Sequence, residues 1–152
     1  MAAFSSPVAR AEMLIRCPVS RVFAAFTDPA ETTRFWFTKS SGPLVEGAKL
    51  TWDWEMYGAS GEIDVLKVEE DRRILIAWPT PVEWEFAVQG PNETQVTITA
   101  TGFDGTADEQ VAQAIDSMGG FTQVLAGCKA WLEHGIELNL IHDKNPVHHV
   151  QQ

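Results

Sequence analysis

Apolar residues change period several times along this chain, and each change marks an element. Residues 8–16 alternate imperfectly and predict an opening strand. After Pro18, the apolar residues Val19, Val22, Phe23 and Phe26 recur at the i, i+3, i+4, i+7 spacing of a short amphipathic helix. Asp28-Pro29 breaks that helix and opens another, with Asp28 as N-cap and Pro29 at the first helical position. The second helix is predicted to end near Phe35-Trp36-Phe37. From there the period falls to two. Leu50, Trp52, Trp54 and Met56 alternate with polar residues, and after Ser60-Gly61 the run 62–68 predicts another strand. A charged turn from Glu69 to Arg73 leads into 74–78. Trp84, Phe86 and Val88 alternate with Glu83, Glu85 and Ala87, and the turn at Gly90-Pro91-Asn92 feeds Val96, Ile98 and Ala100. Short turns between these strands predict an antiparallel meander with one apolar face.

The cover for that face is predicted at the end of the chain. Thr106 and Glu109 have capping-box spacing and open a short helix through Met118, which Gly119-Gly120 is expected to interrupt. A long helix is then predicted over about residues 121–142. Its apolar stripe runs through Phe121, Val124, Leu125, Cys128, Trp131, Leu132, Ile136 and Leu140. Gly127, Cys128 and Gly135 are small enough on or near that stripe for close approach to a curved sheet.

Composition narrows the picture. A chain of 152 residues suits one domain, and its 45% apolar and 21% charged residues are those of an ordinary globular protein. Six Trp and eight Phe beside one Tyr imply a large core or a lined cavity. The formal charge of −10 is uneven: residues 1–76 carry nine basic and eleven acidic side chains, residues 77–152 two and ten. A surface of that sign repels phosphate backbones and anionic headgroups, so nucleic acid and membrane insertion are not expected. Two distant cysteines, no leader pattern at the N-terminus and no long apolar run predict a cytoplasmic protein with reduced thiols.

The order of elements resembles the helix-grip fold of the START/Bet v 1-like (SRPBCC) superfamily. It is closest to the branch related to the C-terminal domain of the activator of Hsp90 ATPase. The segments that carry the resemblance are 18–29, Phe35-Trp36, Gly47 ahead of Trp52-x-Trp54, and Gly61-Glu62-Ile63. The strand ending at Trp78, Gly120-Phe121, and Trp131-Leu132-Glu133 complete the set. The resemblance implies an α+β domain: two short helices after the first strand, then an antiparallel sheet of about six or seven strands curved around a long C-terminal helix. A single domain is expected, with its core at about 8–142 and a tail at 143–152. The resemblance also implies a cavity between sheet and helix for a small apolar or amphipathic ligand.

For the wall of that cavity the sequence offers Trp36, Phe37, Trp52, Trp54, Trp78, Trp84, Phe86, Phe121, Leu125 and Cys128. The same rings can instead simply fill a core. The carboxylates Asp53, Glu55, Glu62, Asp64, Glu83 and Glu85 have the opposite parity and are expected on the solvent face unless a bulge turns one inward. His134 and His142 are placed on the last helix, and His148 and His149 in a frayed polar tail. No His-Glu-x-x-His, Walker A, dinucleotide or nucleophile-elbow motif is present, so no catalytic residue, metal or cofactor is assigned. A non-enzymatic binder is the leading expectation. A polyketide cyclase-type enzyme and a chaperone-regulator-like interaction module stand as alternatives. The extra N-terminal domain of the eukaryotic co-chaperone has no counterpart in this sequence, which argues against an Hsp90 activator in the full sense. Leu138 and Ile141 are candidates for a homodimer patch.

Overall fold

The computed structural model describes residues 5–150; residues 1–4, part of the stretch read above for a leader, and the last two of the tail lie outside that range. A seven-stranded antiparallel sheet is curled around one long helix. The strands are β1 (Ala9–Ile15), β2 (Lys39–Ser40), β3 (Lys49–Trp54), β4 (Ala59–Glu69), β5 (Arg73–Trp78), β6 (Thr80–Gly90) and β7 (Glu93–Ala100). Their spatial order is β1-β7-β6-β5-β4-β3-β2, so the meander is continuous from β2 to β7 and the first strand closes the far edge. The alternation read from the sequence is the alternation observed. Leu50, Trp52, Ile63, Val65, Ile74, Ile76, Val82, Trp84, Phe86, Val96 and Ile98 are buried on the concave face. Glu62, Asp64 and Glu85 are exposed, and Asp53 and Glu83 half-buried, as strand parity requires.

Two strands depart from strict alternation. A register shift between Val65 and Lys67 leaves Leu66 and Lys67 both exposed and brings Val68 onto the core side. A second shift, between Val88 and Gly90, comes where Val88, expected on the inner face, is exposed. Met56 leaves the strand pattern because β3 ends at Trp54 and passes into a single 3-10 turn, Glu55–Tyr57.

Helix α1 (Val19–Thr27) buries Val22, Phe23, Ala25 and Phe26, and Asp28 caps α2 (Pro29–Thr32) by accepting the Ala30 amide at 3.0 Å. The second helix stops at Thr32 and not near Phe37. One helical face cannot bury three consecutive aromatic residues, and here Phe35, Trp36 and Phe37 are all buried. An irregular segment sends them to different partners. Phe35 lies against Gly127, whose missing side chain leaves only 3.0 Å for a Cβ, and Phe37 stacks on Trp52.

Helix α3 runs unbroken from Ala107 to His134, so the predicted interruption at Gly119-Gly120 does not occur. Each glycine costs about 1 kcal/mol relative to Ala in a helix, which a 28-residue hydrogen-bonded run absorbs without breaking. The N-cap is Thr106, as predicted, accepting the Glu109 amide at 3.2 Å. The other end is eight residues short of the expected His142. Gly135 adopts the left-handed conformation (φ 66°), and the amides of Gly135 and Ile136 turn back onto Trp131 and Ala130. Ile136 and Leu140 therefore leave the apolar stripe, and Gly135 serves as the helix stop. The segment after it contains α4 (Leu140–Asp143) and the turn Pro146–His148. It folds back over the 3-10 turn after β3. The Val150 amide donates to the Met56 carbonyl at 2.9 Å, so residues 143–150 are not the frayed tail predicted from their polarity. No helix among the described residues is long and apolar enough to cross a membrane.

Candidate functional site

Sheet and helix do not close on each other evenly. Toward its C-terminal end α3 buries Phe121, Val124, Leu125, Gly127, Cys128 and Leu132; over Ala107–Gly120 it buries only Ala114. Its C-terminal half is fixed to β1. The Arg16 amide and Lys129 ammonium both donate to Glu133, at 2.8 and 2.6 Å, and Lys129 also donates to the Leu14 carbonyl. Burial opposes ionisation of Glu133, but those two donors outweigh it and hold its pKa below the ordinary carboxylate value. On the other side the Trp131 indole donates to Glu31 at 2.7 Å, tying α3 to α2.

A groove opens between the less buried N-terminal half of α3, the ends of β3–β5 and the C-terminal segment. Its main part is broadly open to solvent, with a volume of about 500 Å³, and continues into a recess of about 170 Å³ along α3. Trp36, Trp54 and Trp78 form the aromatic wall. Trp54 and Trp78 stack nearly parallel, with centroids 5.4 Å apart and planes 8° from each other, while Trp36 meets Trp78 edge-on at 5.9 Å. Phe121 and Val124 floor the recess. The opposite wall is Ile141, Lys144, Asn145 and His148, with Asp116 on α3 and Ser60 on β4 at the rim.

The sequence-derived wall thus divides in two. Trp36, Trp54, Trp78 and Phe121 reach the groove. Phe37, Trp52, Trp84, Phe86, Leu125 and Cys128 lie in the packed core beneath it. Trp84 packs against Trp36 and Phe121 from the core side, and its Nε1 is buried without a hydrogen-bond partner among the described residues. Burial pushes the Cys128 thiol strongly upward, and burial is also the chief cause of the rise at Cys17. Both thiols are free.

Several residues at the groove were given no site role from the sequence. Tyr57, the only tyrosine, donates its hydroxyl to the Ile141 carbonyl at 2.5 Å and accepts the Asn145 amide at 3.3 Å, clamping the C-terminal segment in place. His149 joins the same clamp, 2.6 Å from the His142 carbonyl and with its ring 4.4 Å from the His142 ring. Asp116, Lys144 and His148 put ionisable groups on the rim, which the strand parity gave no means to locate. Their signal was only their position beside Gly120 or in the polar tail. Of the proposed surface pair, Leu138 is exposed while Ile141 turns into the groove.

A curled antiparallel sheet gripping one long helix, with two short helices after the first strand, is the START-like helix-grip architecture. Residues 16–133 match the family described as Activator of Hsp90 ATPase homolog 1-like protein, and the chain belongs to that family. Among solved structures it is similar to the protein SSP2350 from Staphylococcus saprophyticus. That pair shares 30% identity over 87% of this chain and 96% of the other, with a TM-score of 0.78. It is also similar to an Aha1 dimer from Colwellia psychrerythraea: 18% identity, 85% and 98% coverage, TM-score 0.70. DynU16, a putative protein of the dynemicin biosynthetic locus, shares the fold at 22% identity and TM-score 0.71. This chain covers 48% of that one and 86% of itself. No curated protein matches the sequence.

Proposed function

We propose that this protein binds a small amphipathic molecule in the groove between α3, the β3–β5 ends and the C-terminal segment. The observation that carries this reading is the open groove of about 500 Å³ walled by three tryptophans and rimmed by a few polar groups. That is the size and make-up of small-molecule sites generally: mostly apolar walls with sparse groups that fix orientation. The reading is of binding without catalysis, with Asp116, Lys144 and His148 as the groups that would orient the ligand.

The test is mass spectrometry of the purified protein, native and after solvent extraction, beside the variant Gly120→Phe. A β-carbon on Gly120 meets nothing closer than the Lys144 Nζ at 4.0 Å, so the ring fills the recess while the helix stays intact. A discrete bound mass in the natural chain, lost in the variant, supports the reading. If neither carries a ligand and decanol leaves the tryptophan emission of both unchanged, the groove is not a ligand site.

Pairing of two copies is a second reading. Val111, Ile115 and Met118 form an exposed apolar row on α3 at i, i+4, i+7, and the similar Colwellia protein is described as a dimer. Sedimentation of the natural chain against Ile115→Glu separates a dimer from a monomer.

A further inference from the structure

The second half of the chain carries ten acidic residues and two cations, Lys129 and Lys144. Lys129 is committed to Glu133 and the Leu14 carbonyl. Lys144 takes part in no ion pair among the described residues and lines both parts of the groove. Its ammonium hangs over Gly120, 4.0 Å from where a β-carbon would be, so the space in front of it is left open by the one residue type without a side chain. The backbone on either side is already held, because the Tyr57 hydroxyl bonds Ile141 and Asn145. Little further ordering of the chain is needed for Lys144 to meet a ligand. Asp116 is the single carboxylate on the same walls, more than 4 Å from the ammonium.

Resting on the ligand-binding reading above, we propose that the groove selects an amphipathic monoanion, a carboxylate whose apolar body lies along the Trp54–Trp78 wall and whose head meets Lys144. Lys144 is exposed, so beside a neutral amphipath water solvates its ammonium, whereas a carboxylate adds a direct charge pair there. A cation is repelled by Lys144 before it reaches Asp116. A phosphate monoester brings a second negative charge that one lysine beside Asp116, in a chain of net charge −10, does not offset. The single positive group therefore sets both the sign and the size of the charge.

The experiment titrates the natural chain and Lys144→Gln with decanoate, decanol, decylamine and decyl phosphate below their micelle concentrations, read by tryptophan emission and calorimetry. The natural chain is expected to bind decanoate roughly fivefold more tightly than decanol, as expected for one partly exposed charge pair. Lys144→Gln should erase the preference, so that decanoate binds only as tightly as the same variant binds decanol, with binding of both still measurable, which a general loss of structure would not give. Lys144→Glu should invert the order in favour of decylamine. Equal binding of decanoate and decanol, a preference that survives Lys144→Gln, or tighter binding of decylamine or decyl phosphate by the natural chain overturns the proposal while the groove remains a ligand site. No binding of any of the four overturns the proposed function itself, and this inference with it.

Discussion

The Trp78 indole lies across the bare backbone of Gly61, and a β-carbon on that glycine would stand 2.5 Å from Nε1. The absence of one side chain on β4 is what lets Trp78 reach over that strand and stack on Trp54. Gly61→Ala should cost about 1–3 kcal/mol through overpacking against the rigid ring. Urea denaturation followed by tryptophan emission checks it. An unchanged midpoint would mean that Trp78 has room to move aside.

The opposite sign is expected on α3. Gly119 lies inside a continuous helix, and a β-carbon there meets nothing within 4 Å. Gly119→Ala should therefore stabilise the protein by about 0.5–1 kcal/mol. Were the helix broken at this pair, as the sequence alone suggests, the same substitution would bring no gain.

Tyr57→Phe removes the hydroxyl that holds the Ile141 carbonyl and the Asn145 amide. Amide exchange over residues 140–150 should accelerate by about tenfold, while β4–β7 keep their protection. Exchange mass spectrometry resolves the two regions. Uniform acceleration would place Tyr57 in the global core and not in a local clamp.

Glu133 makes stability depend on pH. Its folded-state pKa is lowered, so its contribution is fully present above the unfolded-state value of about 4.3 and is lost as pH falls through the folded value. Glu133→Gln should lose about 1–2 kcal/mol at neutral pH, since the amide is left with weaker bonds to Arg16 and Lys129. The gap between the two proteins should narrow on acidification below about pH 4. Thermal unfolding at a series of pH values measures it, and a constant gap would remove the charge from the account.

How far the sequence could be read depended on how local each cause was. Strand parity is local: Trp52, Ile63, Trp84 and Ile98 face the core and Glu62 and Glu85 face solvent as their alternation says. The caps at Asp28 and Thr106 are equally local, each requiring one side chain and a nearby amide. Helix ends failed where the deciding cause was elsewhere. Gly135 reads as a packing glycine on a stripe until its left-handed φ is known, and Phe35-Trp36-Phe37 read as helical until each proves to have its own distant partner. At the groove the aromatic wall was visible because tryptophan is conspicuous. Which rings face open space and which fill the core depends on where α3 and the C-terminal segment pack over the sheet, and no local pattern encodes that placement. The second wall was missed because the clamp from Tyr57 to Ile141 joins positions 84 residues apart, in a segment whose composition looks like a solvated tail.

The near-parallel stack of Trp54 on Trp78 has a spectroscopic consequence. Two stacked indoles with centroids 5.4 Å apart absorb as a coupled pair and not as separate chromophores, so their circular dichroism carries a contribution set by the distance and angle between the rings. Both rings border the groove. Anything that enters and pries them apart, or presses them closer, changes the optical activity of the protein with no label attached.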